Sequence, residues 1–154
     1  MTRKQTKRKH YPLNVNIVGR VISGVALVSQ ANNQRMRLLE LSQIDALATG
    51  KGAWQDIAGM RDMTNLTQTM SDHGIGPEAL PACDAAEEAI LAIIARYEKW
   101  QKVQATPAEA KALREVADYQ DLQRQSVQVV DYERFVNITR ARIDTGHWRV
   151  KEVV

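Results

Sequence analysis

Five basic side chains, Arg3, Lys4, Lys7, Arg8 and Lys9, fall within the nine residues "TRKQTKRKH" at positions 2 to 10, with no acid among them. Cations at this density neutralise the phosphates of a nucleic-acid backbone, gaining affinity by counterion release and losing it steeply as salt rises. The rest of the chain holds 16 Lys and Arg against 18 Asp and Glu, so a pI of about 9.1 reflects the arm and not the body. The bland reading of residues 1–12 is a soluble chain end, where disorder concentrates. The contrast between a basic arm and a slightly acidic body favours an interaction tail.

Catalytic side chains are sparse. His10, His73 and His147 are far apart, and none sits at a metal-ligand spacing such as H-E-x-x-H. "SDHG" offers Asp72 and His73, with Asp84 or Glu87 further on, but a helix end closed by Gly74 accounts for the same residues. Cys83 is the only cysteine, which excludes an internal disulfide; it reads as a small buried thiol. "GRVISG" lacks the Lys-Ser/Thr ending of a phosphate loop. No nucleophile–base pair or ligand set can be assembled. The expectation is a protein that is not an enzyme and uses neither cofactor nor metal.

A second candidate surface is acidic. Asp72, Glu78, Asp84, Glu87 and Glu88 gather around the turn "GIGPE". Carboxylates so placed keep a protein soluble, but they also complement the basic channels of nucleic-acid enzymes. We take Asp84, Glu87 and Glu88 as candidate partner-binding residues. Trp148 and Arg149, within "HWRVK", join them, because an aromatic between cations can stack on a partner or anchor the tail.

The elements that would carry these residues read as helical. One Phe in 154 residues leaves a core of Leu, Ile, Val, Met and Ala, a mixture that suits helices. Residues 15–30 allow either a helix or a strand, with apolar residues at helical spacing but many β-branched side chains and two glycines. A helix over roughly 34–49 would share Leu38, Leu41, Ile44 and Leu47 or Ala48 on one face, ending at Gly50 and Gly52. The next, over 53–73, carries Trp54, Ile57, Met60 or Arg61, Met63 or Thr64, Leu66 and Met70. A third, from about 82 to 102, would bury Ala86, Ala89 or Ile90, Ile93 or Ile94, Tyr97 and Trp100. "TPAE" at 106–109 is a capping box with Pro in the first turn, so a helix starts there and runs to about Arg124. "SVQVV" reads as a short β-like break, after which Asp131 caps a final helix with Tyr132, Phe135, Val136 and Thr139. The predicted fold is an all-α, single-domain bundle of about five to six helices: a disordered basic arm over 1–12, a helical domain over 13–146 and a tail over 147–154.

No apolar run approaches the ~20 residues that span a bilayer. Asn14, Asn16 and Arg20 interrupt the one stretch that imitates a secretory signal, so the expected compartment is the cytoplasm, with no membrane partner.

The stretches "KRKHYP" with Asn14, "ALATGKGAWQDIAGMRDMTNLTQTM", "GIGPE" and "TPAEAKAL" resemble a group of uncharacterised small helical proteins from proteobacterial phages, prophages and other mobile elements. The resemblance covers most of the chain, departing from the pattern in residues 15–30 and after Gly146. It implies a mobile-element origin and a non-enzymatic role, and it carries over no catalytic residue. Two functions are expected on these grounds. The first is non-specific nucleic-acid binding through the arm. The other is a protein–protein module acting on a host or phage protein, such as an anti-CRISPR-like inhibitor of a host defence complex or a minor virion component.

Overall fold

Local chemistry sets the helix boundaries. At "TPAE" the Glu109 N–H donates to Thr106 Oγ1 at 3.2 Å, while the Thr106 N–H donates back to Glu109 Oε2 at 3.4 Å. At the other kind of boundary, Gly50 takes φ +76°, and the Lys51 N–H reaches the Ala46 carbonyl at 2.9 Å, a Schellman closure that only glycine enters without strain. The computed structural model describes residues 30–145. Along them run α1 (Gln30–Ala48), α2 (Trp54–Asp72), a 3₁₀ turn (Pro77–Ala79), α3 (Leu80–Trp100), α4 (Pro107–Gln125) and α5 (Val129–Asp144). The all-α bundle expected from the sequence is the fold. The basic arm, nearly all of the element expected over 15–30 and the tail beyond Thr145 lie outside the described residues.

The main core is aliphatic and alanine-rich. Ile44 and Leu47 of α1 meet Ile57, Met60 and Met63 of α2, Ala86, Ile90 and Ile93 of α3, and Leu113, Val116 and Ala117 of α4. Alanines at 82, 86 and 89 let α3 approach its neighbours closely, and Cys83 is buried beside them. Trp54 closes the edge of the core, its ring 4.9 Å from that of Tyr97. A second, smaller cluster joins Met70, Val127 and Phe135 where α5 lies on α2.

α2 packs against α1, α3, α4 and α5, so it is surrounded and buried on most sides. It is nonetheless not apolar all round: Thr64, Thr67, Thr69 and Ser71 are buried. Thr64 and Thr69 return their hydroxyls to the carbonyls of Met60 and Asn65 four residues back, at 2.8 and 3.0 Å, and so present their methyl groups to the neighbours. The remaining valences meet partners from other helices. Thr67 Oγ1 lies 2.6 Å from Gln120 Oε1, and Thr69 Oγ1 lies 2.7 Å from Thr139 Oγ1. Gln123 Nε2 donates to the Ile75 carbonyl at 2.8 Å, holding the turn after α2.

Three expectations need correction. Leu38 is 67% exposed because it lies two and a half turns from Leu47, on the opposite face of α1. The packed face runs back from Leu47 and Ile44 through Glu40, Arg37 and the buried Asn33. Trp100 is 66% exposed: it closes α3 beyond the last layer of the core, and Lys99 sits 5.0 Å from its ring centroid. The final helix starts at Val129 with Gln128 as N-cap, so Asp131 lies inside the first turn, where it pairs with Arg134 at 3.2 Å. Val129 and Val130, expected in a β-like break, instead open that helix without a capping side chain, and Val127 before them is buried in the second cluster.

The box at Thr106 has a measurable worth. Thr106→Ala should cost about 1 kcal/mol in denaturant unfolding, the usual loss of a capping oxygen. Glu109→Ala should cost more, since it also releases Arg96 of α3, which pairs with that carboxylate and donates to the Gln104 carbonyl. A smaller loss for Glu109→Ala than for Thr106→Ala would assign Arg96 no part in docking α4 on α3.

Candidate binding surfaces

The five cations of the arm, with Trp148 and Arg149, lie outside the described residues. The helices that would back them are not themselves basic: residues 30–145 hold 13 Lys and Arg against 17 Asp and Glu. Their arginines are largely engaged at home. Arg37 pairs with Asp118, Arg61 with Asp62, Arg96 with Glu109, and Arg114 with Asp45. Arg134 pairs with Asp131, and Arg142 with Asp72 at 3.4 Å. Pairing of this kind leaves little positive field to attract phosphate.

The acidic candidates divide. Asp84 and Glu88 stand one turn apart on α3 and are exposed, so they share an edge of the helix. Glu87 turns inward instead, and its Oε2 is buried with no hydrogen-bond partner. Burial first, and then the neighbouring Glu88, push its carboxyl above the ordinary value of 4.5. A carboxyl whose pKa rises on folding binds more protons folded than unfolded, so stability falls as pH climbs from about 4.5 through the folded value. Glu87→Gln should therefore be more stable than the parent chain at pH 7. The gap should close below about pH 4, where both states of the parent are protonated. Melting curves at several pH values would check this; a gap independent of pH would contradict it.

Asp72 and His73 do not converge with Asp84 or Glu87. Asp72 is drawn to Arg142, while His73 Nδ1 lies 2.8 Å from the Thr69 carbonyl and the ring rests on Phe135 at 5.4 Å. Among the described residues no three His, Cys, Asp or Glu side chains come together as a metal site. Nor is any described helix long and apolar enough to cross a membrane.

Sequence reasoning missed the most buried charge of the helices. Arg124, at the end of α4, has a side chain only 1% exposed and makes two parallel bonds to Glu40 of α1, at 2.7 and 2.9 Å. Burial pulls the guanidinium down, but hydrogen bonding and attraction from Glu40 outweigh it and hold its pKa above the usual arginine value. Tyr132 lies beside the pair, its hydroxyl pushed up by burial. A signal was present: Leu113, Val116, Ala117 and Gln120 step at three and four, and the same stripe continues to Gln123 and Arg124. The pair sits under a groove between α1, α2 and α5, flanked by Leu39, which is 60% exposed.

The sequence matches no protein-family profile and no curated protein, and the fold matches no solved structure.

Proposed function

We propose that this is a non-enzymatic accessory protein of a phage or mobile element that binds nucleic acid non-specifically through Arg3, Lys4, Lys7, Arg8 and Lys9. One observation carries the reading, the division of charge. The helices bear a net excess of acid, and seven of their arginines are ion-paired with carboxylates, whereas residues 1–10 hold five cations and no acid. A body of this kind adds no cationic footprint of its own, so affinity for phosphate rests on the arm.

The test compares the full chain with one lacking residues 1–10, by fluorescence anisotropy on labelled duplex and single-stranded oligonucleotides. Deletion should abolish most of the affinity at low salt while circular dichroism keeps the helical signal. Equal binding by the two chains would overturn the reading. A second reading, a module acting on a host or phage protein, is favoured by Asp84 and Glu88, exposed one turn apart on α3. It expects no nucleic-acid binding by either chain, and loss of a protein partner when Asp84 and Glu88 are changed to Lys.

A further inference from the structure

All four lysines of the described residues, Lys51, Lys99, Lys102 and Lys111, stand at one end of the bundle, where α1 and α3 finish and α2 and α4 begin. The two loops there touch. The Ala105 N–H donates to the Leu47 carbonyl at 2.9 Å, and the Gln104 side chain lies against Gly50. Every one of these lysines is exposed. Among the described residues none meets a carboxylate, whereas seven of the nine arginines do. Of the nearby acids, Asp45 and Glu109 are paired with Arg114 and Arg96, and Asp56 accepts the Ala53 N–H at 2.7 Å, which leaves Glu98. Trp100 ends α3 in the same place, 66% exposed, with Lys99 Nζ 5.0 Å from its ring centroid. Directly after it Gln101 takes φ +54°, the one positive φ outside glycine among the described residues, and its N–H closes on the Tyr97 carbonyl at 2.7 Å. That sharp turn leaves the indole at the tip of the helix.

We infer that Trp100 is a stacking platform for an unpaired base of a single-stranded nucleic acid, framed by Lys51, Lys99 and Lys102. An exposed indole beside cations suits this ligand, because every unpaired base offers a face to stack while a duplex keeps its bases covered. Set on helices with a net excess of acid, these lysines do not hold phosphate by themselves. The ring makes the difference. The inference rests on the reading that the arm binds phosphate, and it adds a preference: single strands gain a second point of attachment, and duplexes do not.

Fluorescence anisotropy of the full chain on labelled oligo(dT), and on a duplex of equal length, tests this. Trp100→Ala should weaken oligo(dT) binding by about 5- to 140-fold, the worth of one stacked base, and leave duplex binding unchanged. Trp100→Phe, which keeps a ring, should lose less. NMR supplies a second readout. The indole N–H signal of Trp100, identified by its absence in Trp100→Phe, should shift with oligo(dT), while that of Trp54, packed on Tyr97, stays in place. No loss on oligo(dT), or an equal loss on both substrates, would overturn the inference and leave the role of the arm intact. Equal binding by the full chain and the chain lacking residues 1–10 would overturn the arm reading instead. Binding to neither substrate would overturn both.

Discussion

Arg124→Ala should destabilise the bundle by about 3–5 kcal/mol, the range for removing one member of a buried pair. The cost comes from what is left behind. Glu40 is only 13% exposed and loses both bonds of its cationic partner, so a carboxylate stays in a largely dry site without compensation. Lost packing of the long side chain adds to the effect. Global stability of a domain this size is of order 5–15 kcal/mol, so the variant should show a much lower denaturation midpoint. Changing both partners together, Arg124→Met with Glu40→Leu, should recover most of the loss. The better buried carboxylate then goes with the guanidinium, and only Asp121, 3.7 Å from Arg124 and 19% exposed, is left to be met by water. Chemical denaturation of the three variants checks this. A loss under about 1 kcal/mol for Arg124→Ala would place the pair among surface ion pairs.

The same pair marks where the sequence was legible and where it was not. The helices at 106–125 and 54–72 announced themselves through a capping box and apolar stripes, and Gly50 stopped α1 as its type requires. Aliphatic stripes found the main core because the layer they form is shared by four helices. Past Leu113 and Val116, however, α4 continues its buried face in Gln120, Gln123 and Arg124, residues that a stripe of apolar types does not register. α2 hides its burial in the same way. Thr64, Thr67 and Thr69 satisfy their hydroxyls within or beside the helix and then pack like valine, so their polarity in the sequence says little about their place.

Trp100 and Leu38 fail in the opposite sense. Trp100 keeps the period of its helix, but periodicity fixes the face and not how far along the axis the neighbours extend. Leu38, linked to Leu47 only by steps of three, has drifted half a turn onto the opposite face. Of the functional candidates, Asp84 and Glu88 are exposed as read, whereas Glu87, adjacent in sequence, is turned inward. That difference of one position is invisible in a run of two glutamates.

The second large effect is the response of binding to salt. If the five arm cations each neutralise one phosphate, log affinity for duplex DNA should fall against log salt with a slope of about −4.5, or about −3.5 for a single strand. Between 50 and 200 mM salt that is about 500-fold for duplex and about 130-fold for a single strand. Such a loss is far beyond what one incidental contact produces, and it needs no assumption about sequence preference. Affinity of the intact chain for a labelled duplex, titrated across this salt range, is thus the most direct measurement. The account predicts a slope near −4.5 that collapses toward zero when Arg3, Lys4, Lys7, Arg8 and Lys9 are changed to Gln. A slope near zero for the intact chain, or one that the five substitutions leave unchanged, would contradict it.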